Sequence, residues 1–153
     1  MIKTDKEYRE CLRRLEVDKE FIKKERKALL KQDLTAKEVE RALEPASSFY
    51  EQLKDEVRWY ERVKEREFEA ISDLSDLGRM LIALRIANGI SQRQLAQALG
   101  VDESQVSRDE RNEYHGITLD RAQRIVDALG EKLITSVAEK ERRRRKKEHR
   151  TSA

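Results

Sequence analysis

The sequence predicts an all-α protein, an N-terminal antiparallel helical hairpin followed by a compact domain of short helices. Three observations lead there. A single proline and five glycines in 153 residues leave room for long uninterrupted helices. Apolar residues recur at spacings of three and four, and nothing alternates for long enough to make a large sheet. Charged residues make up 42% of the chain against 37% hydrophobic, which suits solvated helices in thin layers better than a thick core.

The first helix is expected from about Asp5 to Gln32. Tyr8, Leu15, Ile22 and Leu29 recur every seven residues, with Leu12 between the first two and Phe21 and Ala28 widening the stripe. Asp33, Leu34 and Thr35 interrupt it. Thr35 with Glu38 is a capping-box signature, opening a short helix with Val39, Ala42 and Leu43 on one face. Pro45 is expected to end that helix or to open the next, which reads to about Ile71. Its stripe is Phe49, Leu53, Tyr60, Val63 and Ala70, flanked by Val57 and Trp59. Amphipathic helices joined by a short connector fold back on one another, so residues 1–73 read as a hairpin for dimerisation or partner binding. The polar run Ser72–Asp76 marks a boundary.

Residues 74–131 read as a second unit. Leu74, Leu77, Leu81 and Leu84 give its first helix one apolar face, which Asn88 and Gly89 end. Ile90 to Arg111 then reads as two short helices about a tight turn. Ser91 is an N-cap, and Leu95 and Leu99 share a face. Gly100 can take the left-handed conformation that stops the helix. Asp102 offers a second N-cap, and Val106 anchors the second helix. That helix keeps Glu103, Ser104, Gln105, Ser107 and Arg108 polar, and its width fits a DNA major groove. Thr118 caps a further helix with Leu119, Ala122, Val126 and Leu129 on its face, Ile125 beside them and Gly130 closing it. Residues 132–138, KLITSVA, suit either a short strand or a final helix, and a lone strand would seek a partner in a second subunit. Residues 139–153 are a basic tail, expected to lack structure without a partner.

From about Leu77 to Leu129 the chain resembles the helix-turn-helix of the Cro/cI-type (Xre) repressors. The resemblance rests on Gly89, Ile90, Ser91, Gln92, Leu95, Ala96, Leu99, Gly100, Val101, Val106, Ser107, Arg108, Glu110 and Arg111 at fixed spacing. It implies a five-helix-type domain binding double-stranded DNA. By position, Asp102, Glu103, Ser104, Ser107 and Arg108 would read bases. Ser91, Gln92, Arg93, Arg111, Tyr114 and His115 would hold phosphates, the first two at a helix N-terminus whose N–H groups favour anions. Glu110 aligns with a family glutamate that pairs with an arginine of the first helix, here Arg85. Two departures stand out. Asn112 takes the place of the usual glycine, where a left-handed residue is expected. Asp109 fills a usually apolar position, where it either disturbs the packing or pairs with Arg111 or Arg124. The joining of a helical region to such a unit is similar to HigA-type antitoxins, which neutralise a toxin and repress their own operon.

Charge bears on that reading. Residues 77–130 hold seven basic and seven acidic side chains, so the unit is neutral. DNA affinity rests largely on counterion release. Dimerisation and the tail, with eight basic and three acidic residues, are expected to supply what the unit lacks. The chain is thus expected to be a homodimeric, cytoplasmic transcriptional repressor, or an antitoxin whose N-terminal helices bind a toxin. The alternative is a protein-interaction module in which the helix-turn-helix is a scaffold. An enzyme is not expected: the sequence offers no nucleophile with a base and no glycine-rich phosphate loop. One cysteine, Cys11, and two distant histidines, His115 and His149, make no metal site. No cofactor is implied, and no apolar run is long enough for a membrane.

Overall fold

A computed structural model describes residues 1–137. They form α1 (Asp5–Leu30), α2 (Ala36–Lys64), a 3-10 turn (Leu74–Asp76), α3 (Leu77–Ala87), α4 (Gln92–Leu99), α5 (Glu103–Arg111) and α6 (Leu119–Ala128), and no strand occurs among the described residues. Capping boxes start both long helices. Thr4 pairs reciprocally with Glu7, and Thr35 with Glu38.

The hairpin is antiparallel, and its register is fixed by side chains at both ends. Near the tip, Arg26 pairs with Glu40. Near the base, Tyr8 stacks on Tyr60 with ring centroids 5.0 Å apart, and its hydroxyl donates to Glu61 at 2.7 Å. The seam of α1 is half-buried at Tyr8, Cys11, Leu15, Ile22 and Leu29, and Val39, Leu43, Val57, Tyr60 and Val63 of α2 are buried.

Several expectations for the hairpin are corrected. Pro45 neither ends nor opens a helix but lies inside α2. It is exposed, so the Arg41 carbonyl that loses its partner is left on the solvent side. The uninterrupted helix carries the phase of Val39 and Leu43 forward to Tyr50 and Val57, which turns Phe49 outward, 67% exposed. Phe21 does not widen the seam either; it is 53% exposed, and Ala28 and Ala42 are exposed as well. The helix stops at Lys64 rather than near Ile71 because Arg66 turns left-handed (φ 61°), letting the Glu67 N–H close on the Arg62 carbonyl. Arg66 is held by Glu131 at 2.7 Å and lies over the Phe68 ring. Ala70 therefore falls outside the helix and is exposed.

The hydrophobic core is continuous across hairpin and C-terminal unit. Ile2, Val57, Tyr60 and Val63 belong to the same buried cluster as Leu81, Ile82, Leu84, Leu95, Val106, Ile125 and Val126. The C-terminal unit contributes four α-helices and the 3-10 turn where five helices were expected, and the base of the hairpin packs on it. Leu74 and Leu119 are exposed because each sits at the mouth of its element. Residues 131–137 form neither strand nor helix, with Ile134 and Val137 exposed. Residue 138 and the tail lie outside the described residues.

At the junction, Asp5 accepts from the Tyr60 hydroxyl at 2.6 Å and from Lys64 at 3.3 Å. Chiefly the Tyr60 bond, and then Lys64, hold the Asp5 carboxyl below its ordinary 3.8. A carboxylate so depressed stabilises the fold above about pH 4, and that contribution is lost as pH falls through its folded value. Tyr60→Phe is expected to cost about 1 kcal/mol at pH 7 and less at pH 3. Urea unfolding at the two pH values measures it, and an equal cost at both contradicts the assignment.

Candidate nucleic-acid interface

The two helices around Gly100 meet as a tight corner. Ser91 caps α4 by accepting from the Gln94 N–H at 3.1 Å, while the Gln94 side chain accepts from the Ser91 N–H at 2.8 Å. Gly100 is left-handed at φ 67°, and its turn closes with Val101 N–H on the Ala96 carbonyl. Leu95 and Ala96 bury the inner face of α4. In α5, Val106 and Glu110 point inward. Asp102 stands at the N-cap in extended conformation, but its side chain makes no capping hydrogen bond. Its carboxylate is exposed with Glu103, Ser104 and Arg108, and Ser107 is half-buried on the same helix. Arg108 folds back along the helix, Nε donating to the Ser104 carbonyl at 3.2 Å.

Behind this face lies the pair between Arg85 of α3 and Glu110 of α5, 3% and 0% exposed. Arg85 Nη2 donates to Glu110 Oε2 at 2.7 Å and to the Lys3 carbonyl at 2.9 Å, and Nη1 donates to the Ile90 carbonyl at 2.8 Å. Gln92 Nε2 donates to the same carboxylate at 2.8 Å. One guanidinium therefore ties α3, the entry of α4, α5 and the N-terminal segment together. Its planar fork suits that bidentate task, which a lysine could not perform. The Gln92 side chain is committed to this network and is half-buried, so only the helix N-terminus it occupies faces outward.

The loop after α5 departs from expectation at two places. Asn112 is right-handed (φ −90°), and the left-handed residues are Glu113, Tyr114 and Gly116. The crossing is displaced because Tyr114 N–H closes on the Asp109 carbonyl at 2.7 Å, which requires Glu113 to be left-handed first. Tyr114 is 5% exposed, and its hydroxyl is buried without a partner. Burial, and after it the Glu110 charge, push that phenol above its usual range. Tyr114 is thus a core residue and is not presented to a phosphate, whereas Arg93, Arg111 and His115 are exposed. Asp109 pairs with Arg121 of α6 at 2.5 Å, not with Arg111 or Arg124. Asp109 and Arg121 thus join α5 to α6 by an ion pair. Sequence reasoning missed Arg121, whose only signal is its place one helical turn into α6.

These pairs change how the neutral balance is read. Asp109, Glu110 and Glu113 are each met by an arginine of their own unit, Arg121, Arg85 and Arg79. The exposed cations Arg93, Arg108 and Arg111 have no salt-bridge partner among the described residues. Asp102 and Glu103 at the start of α5 likewise have no salt-bridge partner among the described residues, so the α4–α5 side sets three unpaired cations against two unpaired carboxylates and stays close to neutral. Among the described residues, no group of three or more His, Cys, Asp or Glu side chains could hold a metal ion. No helix there is long and apolar enough to cross a membrane.

A protein-family model described as helix-turn-helix matches residues 81–134. No curated protein and no solved structure matches the chain. The matched segment begins inside α3 and runs past α6, so it contains the corner at Gly100, the outward face of α5 and the buried pair that holds them. Residues 81–134 are a helix-turn-helix domain of the Cro/cI (Xre) type, a DNA-binding regulator unit built onto the base of a helical hairpin.

Proposed function

We propose that this protein is a sequence-specific repressor that binds a palindromic operator as a homodimer, with α5 lying in the major groove. The observation that carries this is the exposure of Ser104, Arg108 and Arg111 along one side of α5, with Asp102 and Glu103 exposed at its leading end, while Val106 and Glu110 lock the other side. In this reading Arg108 leaves the Ser104 carbonyl and makes a bidentate contact to guanine, Glu103 accepts from cytosine N4, and Asp102, Ser104 and Ser107 complete the base contacts. Ser91, the α4 N-terminus at Gln92, Arg93, Arg111 and His115 position the duplex through its phosphates. The hairpin followed by an Xre-type unit suits an antitoxin that represses its own operon, its N-terminal helices engaging the toxin. The cytoplasm, or the nucleoid, is where such a protein meets its operator.

A mobility shift on duplexes from the region upstream of the protein's own gene tests the reading. The wild type is expected to retain one fragment selectively. Arg108→Ala is expected to weaken that complex by about 1–3 kcal/mol, roughly 5- to 150-fold, while non-specific binding changes little. Undiminished selectivity in Arg108→Ala refutes the contact. Failure to retain any fragment favours a second reading, a protein-interaction module on a helix-turn-helix scaffold. Asp102 and Glu103 at the leading end of α5 speak for that second reading, since both repel phosphate.

A further inference from the structure

The hairpin has two unlike broad sides. On one flank of the seam, residues seven apart are Leu12, Lys19 and Arg26 of α1 and Glu40, Ser47, Lys54 and Glu61 of α2, mostly polar, and Arg26 and Glu40 are paired across it. The opposite flank carries Phe21 and Ala28 of α1 against Ala42 and Phe49 of α2, with Val17 and Pro45 one turn before each phenylalanine. Val17, Phe21 and Phe49 are all more than half exposed. Three side chains of this size present on the order of 300 Å² of apolar surface, already near the largest patch on an ordinary monomer. Nothing among the described residues covers it, and residues 138–153, dominated by Lys and Arg, hold no apolar stretch that could.

We infer that this flank is where a second copy of the chain docks, so that two hairpins close into an antiparallel four-helix bundle. Three features favour a copy over a different protein. The rim carries both signs, Arg14, Lys24 and the Met1 ammonium that meets Glu56, against Glu10, Glu38 and Glu56, so two identical faces meet without strong net repulsion. Phe21 and Phe49 lie near the middle of the hairpin's length, where a two-fold axis must pass if the contact is to be isologous and the overlap large. The outline of the face matches a standard contact, with the apolar patch of about 300 Å² at its centre. A helix of 26 residues is about 39 Å long, and two side by side are about 20 Å across, giving roughly 800 Å², the area each partner contributes to a standard interface. Two helices alone can bury only one stripe each, and beyond the base of this hairpin only Val39 and Leu43 are fully buried; a second pair gives the tip half its missing layer. The domain at each base then sits at an opposite end of the bundle, joined to its copy through the hairpins.

This rests on the homodimer of the proposed function and gives it a surface. The test is sedimentation equilibrium of the full chain, wild type and Phe21→Ala/Phe49→Ala, with helicity followed by circular dichroism. The wild type is expected to be a dimer at micromolar concentration. The double variant is expected to keep its helicity, since both rings are solvent-exposed within one chain, and to self-associate on the order of 100-fold more weakly. The single variant Phe49→Lys should act in the same direction, placing like charges at the axis. A wild type that stays monomeric overturns both the surface and the dimer. A dimer that survives both variants overturns the surface alone. Loss of mass with selective DNA retention still measurable at high protein concentration supports the surface and leaves the DNA reading standing.

Discussion

Gly78→Ala is expected to destabilise the helix-turn-helix domain by about 3 kcal/mol or more, although alanine is the better helix former. A Cβ at Gly78 would lie 1.9 Å from the Glu113 carbonyl oxygen, 2.8 Å from its carbon and 3.0 Å from the Tyr114 Cβ. The obstacle is backbone, so no rotamer change relieves it. The loop that would have to retreat is already in a costly conformation. Glu113 and Tyr114 are consecutive left-handed residues without being glycines, at φ 49° and 53°. They stay there because Tyr114 N–H is bonded to the Asp109 carbonyl and the Tyr114 ring is buried. Moving the loop off α3 draws that ring out of the core. Gly89 is the control. It is left-handed at φ 65°, and a methyl added there would meet nothing within 4 Å, so Gly89→Ala is expected to cost only about 1 kcal/mol. Thermal unfolding of the two variants decides the matter, and comparable losses would show that close approach is not what Gly78 serves.

The same loop shows where a sequence stops being informative. Caps and stops are legible where a single residue type does the work locally. Thr35 with Glu38, and Ser91, Thr118 and Gly100, all stand where their chemistry places them. What escapes are positions where a residue adopts a conformation its type disfavours because tertiary contacts hold it there. Arg66 ends α2 in a left-handed turn and is fastened by Glu131, 65 residues away, and nothing local to Arg66 announces it. Asn112 has the side chain expected at a left-handed position, yet Glu113 and Tyr114 take it because burying the Tyr114 ring fixes the loop. Phe49 reads as core only if Pro45 is a break. With the helix continuous, the phase set at Val39 turns it outward. At the candidate interface, the outward turn of Ser104, Arg108 and Arg111 follows from periodicity alone, whereas Asp102 and Glu103 share the stripe of Val106 and Glu110 and are exposed only because they open the helix. The partners of Asp109 and Gln92 depend on how helices cross, which periodicity does not encode.

Glu110→Ala is expected to be as damaging as Gly78→Ala, about 3–5 kcal/mol, because it strands the Arg85 guanidinium at 3% exposure with only the Ile90 and Lys3 carbonyls for company. Arg85→Met should cost a similar amount by leaving a carboxylate at 0% exposure with Gln92 as its remaining donor. The double variant Arg85→Met/Glu110→Leu is expected to be more stable than either single one, since no uncompensated charge remains and the volumes are close. If instead the two costs add, the residues act independently and the pair is not a unit. Stability is the lesser role of such a pair, because its desolvation offsets most of its attraction. Its larger role is direction. A bidentate guanidinium fixes the rotation of α5 about its own axis, whereas methionine against leucine permits many rotations of similar energy. The double variant should therefore fold with wild-type helicity and still hold DNA through its arginines, yet discriminate poorly between the retained duplex and a scrambled one. Measuring both affinities at one salt concentration separates the two roles: unchanged discrimination in a folded double variant would mean that Val106 and the Gly100 corner suffice to aim the helix.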